Sequence, residues 1–218
     1  MAEKLSKQEL KEPDKFQVML SGTVLYLTEN RKKLYIAGAV FIAILVSAGG
    51  WYLYDLDMEK SAQQLYTRAY YAATGEGATG IFKDVLEKYP RSQAAVLTSY
   101  RLASLYYQQK DFDTAIRHYE AFLQKTPDKS DLKTIAYMGL GHCYEAKKDF
   151  KNALSAFEKA ASSKTGEVFA GLNDQNIARI YEAMNDPAKA LEYYQKALTK
   201  NTDPLSELLI KRKIATLS

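Results

Sequence analysis

The chain has 218 residues, a single cysteine, and 30 basic against 26 acidic side chains, for a net charge of +4. Charges of both signs mix along the second part of the chain, so no electrostatic footprint for nucleic acid stands out. The lone thiol, Cys143, excludes a disulfide scaffold within the chain, and its place beside Tyr144 on a core-rich helix reads as a small buried hydrophobe.

In chain order, Met1 to Asp14 is polar, rich in Lys and Glu, and expected to be disordered. Phe16, Met19, Leu20, Val24, Leu25 and Leu27 then recur at roughly helical spacing. They suit a short amphipathic helix on a membrane leaflet, held by Lys15 and the Arg31-Lys32-Lys33 cluster. A linker with hydrophobic content fits the same residues, since Gly22 sits in their middle.

Leu34 to Tyr54 is a run of 21 residues without a charge. At ~1.5 Å per residue it reaches about 31 Å, enough for a hydrocarbon core of about 30 Å. Arg31, Lys32 and Lys33 precede it, and Asp55, Asp57 and Glu59 follow it. Because cytoplasmic flanks concentrate Lys and Arg, the N-terminus is expected inside and the remainder outside. Trp51, Tyr52 and Tyr54 stand where an interfacial aromatic belt belongs, with Tyr35 at the other end. A cleaved signal peptide cut at Val46-Ser47-Ala48 competes with this reading. The apolar run continues past that point to Tyr54, and 33 preceding residues make a long leader, so a retained anchor is expected. Ala39, Ala43 and Ser47 lie four apart with Gly50 on nearly the same face. Such a stripe of small residues suits contact with another membrane helix, although an ordinary anchor explains it equally. Residues 1–33 therefore read as a cytoplasmic segment, 34–54 as a transmembrane helix and 55–218 as the domain beyond it. Its 164 residues suffice for one fold that buries about 70% of its unfolded surface.

That domain repeats itself. Ala78, Ala115, Ala153 and Ala190 are spaced 37, 38 and 37 residues apart. Each is followed four positions later by an aromatic residue (Phe82, Tyr119, Phe157, Tyr194) and three after that by Val85, Phe122, Ala160 or Ala197. A period of about 20 to 50 residues means stacked supersecondary units. Ahead of three of these copies, Leu102-Ala103-Tyr106, Leu140-Gly141-Tyr144 and Ile177-Ala178-Tyr181 mark a first helix. Small residues such as Gly141 and Ala153 let the two helices of a unit approach, with Tyr144 and Phe157 beside them. The turns Lys110-Asp111-Phe112, Lys148-Asp149-Phe150 and Asn185-Asp186-Pro187 each set an Asp to cap the second helix. Pro90 and Pro127 stop second helices. In the first copy the segment from Gly75 to Gly80 is expected to be the turn. Asp203-Pro204 reads as the start of a last helix whose stripe Leu205, Leu208 and Leu209 caps the array, with Lys211, Arg212 and Lys213 complementing its C-terminus.

Over roughly residues 59 to 203 these copies resemble the tetratricopeptide repeat family, whose helix-turn-helix units run to about 34 residues. The expected fold is all-α: a transmembrane helix, then an α-solenoid of about four repeats and a capping helix. The resemblance implies that the first helix of each unit lines a concave, protein-binding face. Carried over by position, that face comprises Leu97, Tyr100, Ser104 and Tyr107 in copy two. Copy three contributes Ile135, Met138, His142 and Glu145, and copy four Leu172, Gln175, Arg179 and Glu182. Tyr and Met there suit apolar or extended peptide segments. Leu97 and Ile135 serve equally well as seals between adjacent helices. The family's carboxylate clamp would need Lys and Asn where this chain has Gln63, Thr67 and Tyr100, which disfavours chaperone-tail recognition of that kind.

Catalytic chemistry finds no footing. Gly75-x-Gly77-x-x-Gly80 matches a dinucleotide fingerprint in letters, but a helix rather than a strand precedes it. His118 and His142 fall in different repeats, without an acidic or thiol partner at ligand spacing, and neither HExxH, paired cysteines nor a Gly-x-Ser-x-Gly elbow occurs. No enzyme, cofactor, metal or small-molecule substrate is expected.

The whole layout, including Tyr26-Leu27-Thr28-Glu29-Asn30-Arg31 ahead of the span, resembles the YfgM-type ancillary subunits of the SecYEG translocon. That resemblance implies a bacterial inner-membrane protein whose periplasmic repeats meet exported polypeptides with periplasmic chaperones. The repeats alone also fit an adaptor for another envelope complex, in cell division or outer-membrane assembly.

Overall fold

The computed structural model describes residues 15–72, 76–127, 130–163, 165–200 and 203–218. The polar start from Met1 to Asp14 lies outside them. Among the described residues there are ten α-helices, one short 3-10 turn (Gly166–Phe169) and no strand. The chain divides into two compact units, Met1–Asp57 and Met58–Ser218.

The first unit holds α1 (Lys15–Glu29) and the N-terminal part of α2 (Arg31–Tyr71). Asn30 joins them within the helical hydrogen-bond pattern, its N–H donating to the Tyr26 carbonyl and its carbonyl accepting from Leu34, each at 3.0 Å. Gly22 does not interrupt α1. Along it Phe16, Val18, Met19, Leu20, Val24, Leu25, Tyr26 and Leu27 are all exposed. α2 runs 41 residues, about 62 Å at ~1.5 Å each. It is long and apolar enough to cross a bilayer, with residues 34–54 exposed throughout.

The second unit is the repeat domain. The end of α2 packs on α3 (Glu76–Lys88) through Tyr66, Ala69, Ala78 and Phe82, and α4 (Gln93–Gln108) pairs with α5 (Phe112–Lys125), α6 (Asp131–Ala146) with α7 (Phe150–Ser162), and α8 (Ala170–Ala183) with α9 (Pro187–Lys200). The repeated signature is the core itself. Its four alanines, four aromatics and four third-position residues are all buried, none more than 6% exposed. Burying each such aromatic contributes about 1.5–3 kcal/mol, which is why four copies of a short pattern suffice to organise the domain.

The turns are also copies of one another. Lys110, Lys148 and Asn185 sit at φ of 63°, 61° and 59°. In each turn the following Asp N–H reaches back at 2.9 Å to a tyrosine carbonyl of the first helix, Tyr106, Tyr144 or Tyr181. The carboxylates of Asp111, Asp149 and Asp186 then accept from the backbone of Thr114, Asn152 and Lys189 at 3.1–3.2 Å, capping α5, α7 and α9. On α6 two close approaches leave room only for glycine. A Cβ on Gly139 would lie 2.5 Å from the Tyr119 ring, and one on Gly141 2.7 Å from Phe157.

Two expectations change. Gly77 and Gly80 lie within α3, which starts at Glu76, so the first copy's turn does not extend to Gly80. Glycine weakens a helix by about 1 kcal/mol, but burial of Ala78, Phe82 and Val85 outweighs it. The last helix, α10 (Pro204–Leu217), begins as expected, with Asp203 accepting from Ser206 N at 2.8 Å. It docks through Ile210, Ile214 and Leu217 against Ala178, Tyr194 and Ala197, while Leu205, Leu208 and Leu209 stay exposed. Both triads have helical spacing and lie about 150° apart around the axis, so periodicity alone did not choose between them.

Candidate protein-binding surface

Polar contacts join three successive pairs of first helices. Arg101 Nε on α4 donates to Tyr66 Oη on α2 at 3.4 Å. Arg179 on α8 donates from Nε and Nη2 to the two oxygens of Glu145 on α6, at 2.6 and 2.7 Å. Lys213 on α10 donates to both oxygens of Glu182 on α8, at 2.9 and 3.0 Å. α10 thus continues the row of first helices.

The twelve positions expected on the inner face divide by environment. Leu172 is 51% exposed and Tyr107 and Ile135 about a third, so these present apolar area to a partner. Leu97, Ser104 and Gln175 are half-buried. Tyr100 packs edge-on to Tyr119, with centroids 6.0 Å apart, and against Phe122. Met138 is buried with Phe157, Ile177 and Ile180, and so belongs to the core under the face rather than to the face itself. Leu97 stays half-buried rather than fully sealed, as Ile135 stays exposed.

His142, Glu145, Arg179 and Glu182 form one polar group. His142 Nδ1 lies 3.3 Å from Glu145 Oε2 and 3.4 Å from Arg179 Nη2, so the histidine does have an acidic neighbour one turn away. The His142–Glu145 spacing of three residues was visible in the chain, but it was the approach of α8 that brought Arg179 onto it. Burial opposes the Glu145 charge, yet hydrogen bonds from Arg179 and His142 with their Coulombic attraction hold its carboxyl at about 2. Burial likewise opposes the charge on Glu182, and hydrogen bonds from Tyr194 and Lys213 hold its carboxyl below the ordinary value. The face therefore grades from aromatic at α4 to an internally neutralised ion-pair group at α8.

Burial pushes the Cys143 thiol up to about 12, in keeping with a small core residue at 0% exposure. His118 stacks on Tyr106 at 5.5 Å, with burial and then Arg117 lowering its pKa. Among the described residues no three His, Cys, Asp or Glu side chains gather as a metal site would need. In the other unit, Ala39, Ala43, Ser47 and Gly50 are all exposed along α2, and a Cβ on Gly50 would meet nothing within 4 Å.

Comparison with known proteins agrees with this architecture. A sequence model of the family described as tetratricopeptide repeat-like domain matches residues 25–218. The chain is 32% identical over 117 residues to uncharacterized protein ycf37 of Cyanophora paradoxa, covering 53% of this chain and 64% of that relative. It thus spans less than two thirds of that relative's length. Similar solved structures include MamA (41-end) of Desulfovibrio magneticus RS-1, at 21% identity and TM-score 0.55, covering 64% of this chain and 75% of that one. BtubC of P. vanneervenii is 15% identical with TM-score 0.60, covering 75% and 81%. PilF of Pseudomonas aeruginosa is 18% identical with TM-score 0.57, covering 75% and 68%. At these identities the structures share the fold alone.

Proposed function

This chain belongs to the tetratricopeptide repeat-like family, and from that membership we propose that it is a non-catalytic adaptor that holds extended polypeptide on its inner face. The observation that carries this reading is that the first helices α4, α6 and α8 expose Tyr107, Ile135 and Leu172 to solvent. Large apolar side chains left exposed on neighbouring helices are what a protein partner buries. Residues 34–54 act as a membrane anchor, with Arg31, Lys32 and Lys33 inside and the repeats on the periplasmic side of a bacterial inner membrane. There the adaptor serves the Sec translocon, meeting exported chains together with periplasmic chaperones. The small-residue stripe of Ala39, Ala43, Ser47 and Gly50 gives α2 a face on which a translocon helix can pack.

Affinity purification of the full chain in mild detergent, followed by mass spectrometry, tests the assignment. Translocon subunits and periplasmic chaperones are expected, and Tyr107→Ala with Leu172→Asp should lose the soluble partners while retaining the membrane ones. Ala43→Leu should do the reverse. Recovery of division or outer-membrane assembly proteins instead would move the adaptor to another complex. Alkaline phosphatase fused after Ser218 should be active in a bacterial host, and an inactive fusion would overturn the periplasmic orientation.

A further inference from the structure

An opening at the first repeat junction lies mostly outside the inner-face positions considered so far. The end of α2, α3 and α4 enclose a cavity of about 340 Å³. Ala69, Ala78 and Phe82, all buried, line its apolar part together with Leu105. Arg101, Ser104 and Gln108 supply its polar wall, and the exposed ring of Tyr70 stands beside them.

At the later junctions the residues equivalent to Arg101 are taken up in packing. Arg101, Gly139 and Asn176 are spaced 38 and 37 residues apart, as repeat equivalents; Arg101 lines the cavity with Phe82, and Gly139 abuts Tyr119. At the second junction the Tyr119 ring occupies the space that a Gly139 side chain would need. At the third, Asn176 is 2% exposed and serves as packing. The first junction instead carries a cation beside an unfilled apolar space.

The Arg101 guanidinium lies 4.7 Å from the Tyr70 ring centroid and spends only Nε, on Tyr66 Oη. Among the described residues no carboxylate pairs with it, whereas Arg179 at the other end of the face is held by both oxygens of Glu145. An arginine fixed by stacking and by one hydrogen bond keeps its two terminal nitrogens as a planar fork, a shape that matches a carboxylate.

The geometry points to a ligand class for this junction: an extended polypeptide segment in which an acidic residue adjoins a large apolar one. The apolar side chain enters the cavity against Phe82 and Leu105, the carboxylate meets Arg101, and Ser104 and Gln108 hydrogen-bond the segment's backbone. A lone guanidinium between apolar walls suits one carboxylate, and the higher charge of a phosphate would call for a second cation. This inference rests on the reading of the inner face as a peptide-binding surface and adds what its first junction selects.

The test pans full-length protein in detergent micelles against a displayed library of random linear heptapeptides, with hits re-measured as labelled peptides by fluorescence anisotropy. Enriched sequences are expected to place Asp or Glu next to Leu, Ile, Met or Phe. Arg101→Gln should weaken them about tenfold or more, a loss of the size seen for charged hydrogen-bonded pairs, and Arg101→Lys should recover only part. Ser104→Trp, which fills the cavity while leaving Arg101 in place, should weaken the same peptides. Enriched peptides without an acidic residue, or peptides that bind Arg101→Gln as well as wild type, would overturn this inference and leave the peptide-binding face standing. No enrichment above a blank surface would remove both.

Discussion

Replacing Ile210 by Ala separates the two possible docking faces of α10. Ile210 is 1% exposed against Ala178, Tyr194 and Ala197, whereas Leu208 on the opposite side is 64% exposed. Truncating a buried Ile or Leu to Ala costs about 2–5 kcal/mol, made of lost transfer free energy and the cavity left behind. α10 has helices on one side only and can settle into the space, which places this site at about 2–3 kcal/mol. In a solenoid that loss falls on the nearest interface rather than on the whole array. Amide hydrogen exchange of the full chain in detergent should therefore show α10 and α9 opening roughly 30- to 150-fold more often, at about 1.4 kcal/mol per factor of ten. Protection in α5 to α7 should be unchanged. Leu208→Ala should change no segment by more than about 0.5 kcal/mol. Equal losses in the two variants, or a larger one from Leu208→Ala, would mean that α10 docks through its leucine stripe and that the packing described above is wrong.

Gly141→Ala drives a Cβ to 2.7 Å from a fully buried Phe157 and should destabilise by about 1–3 kcal/mol, with Phe157→Leu in the same chain restoring part of the melting temperature; an unshifted melt would refute the close approach. Lys148→Gly relieves a left-handed backbone at φ 61° and should raise stability by about 0.5–1 kcal/mol after the entropy of a freer unfolded chain is deducted, so a lower melting temperature would refute the strain. Glu145 is held at about 2 against an ordinary 4.5, so its contribution is complete above pH 4.5 and is lost as the pH falls toward 2. Full conversion would be about 3 kcal/mol, but Arg179 is 42% exposed and solvent screening reduces the figure to about 1 kcal/mol. Glu145→Gln should lose that amount at pH 7 and flatten the acid limb of the stability curve, and an acid limb of unchanged slope would remove the ion pair from the account.

The fold was legible because its core is a repeated pattern. Ala, aromatic and third residue recur at fixed offsets, and all twelve are buried, so the letters that repeat are the letters that pack. The Asp caps were legible for the same reason, since a cap acts on amides within one turn of itself. What escaped reading depended on helix phase or on distance. The stripe Leu205, Leu208 and Leu209 had the right period and the wrong side. Met138 shares a helix face with His142 but tips under it, into the core around Phe157. Arg179 meets Glu145 across 34 residues of sequence, which no local spacing announces.

The same logic locates specificity within the array. Positions that carry the repeat are occupied by the core and cannot also select a partner, because changing Phe157 or Ala153 changes the packing first. Selection falls to positions where equivalent sites differ while their surroundings stay alike. Arg101, Gly139 and Asn176 form such a set, at equivalent positions of successive first helices. Gly139 is consumed by the Tyr119 ring and Asn176 by burial, so neither is available to a ligand. Arg101 alone of the three keeps donors and open space together. The departure from the repeat, rather than the repeat, is therefore where chemical discrimination by this surface begins.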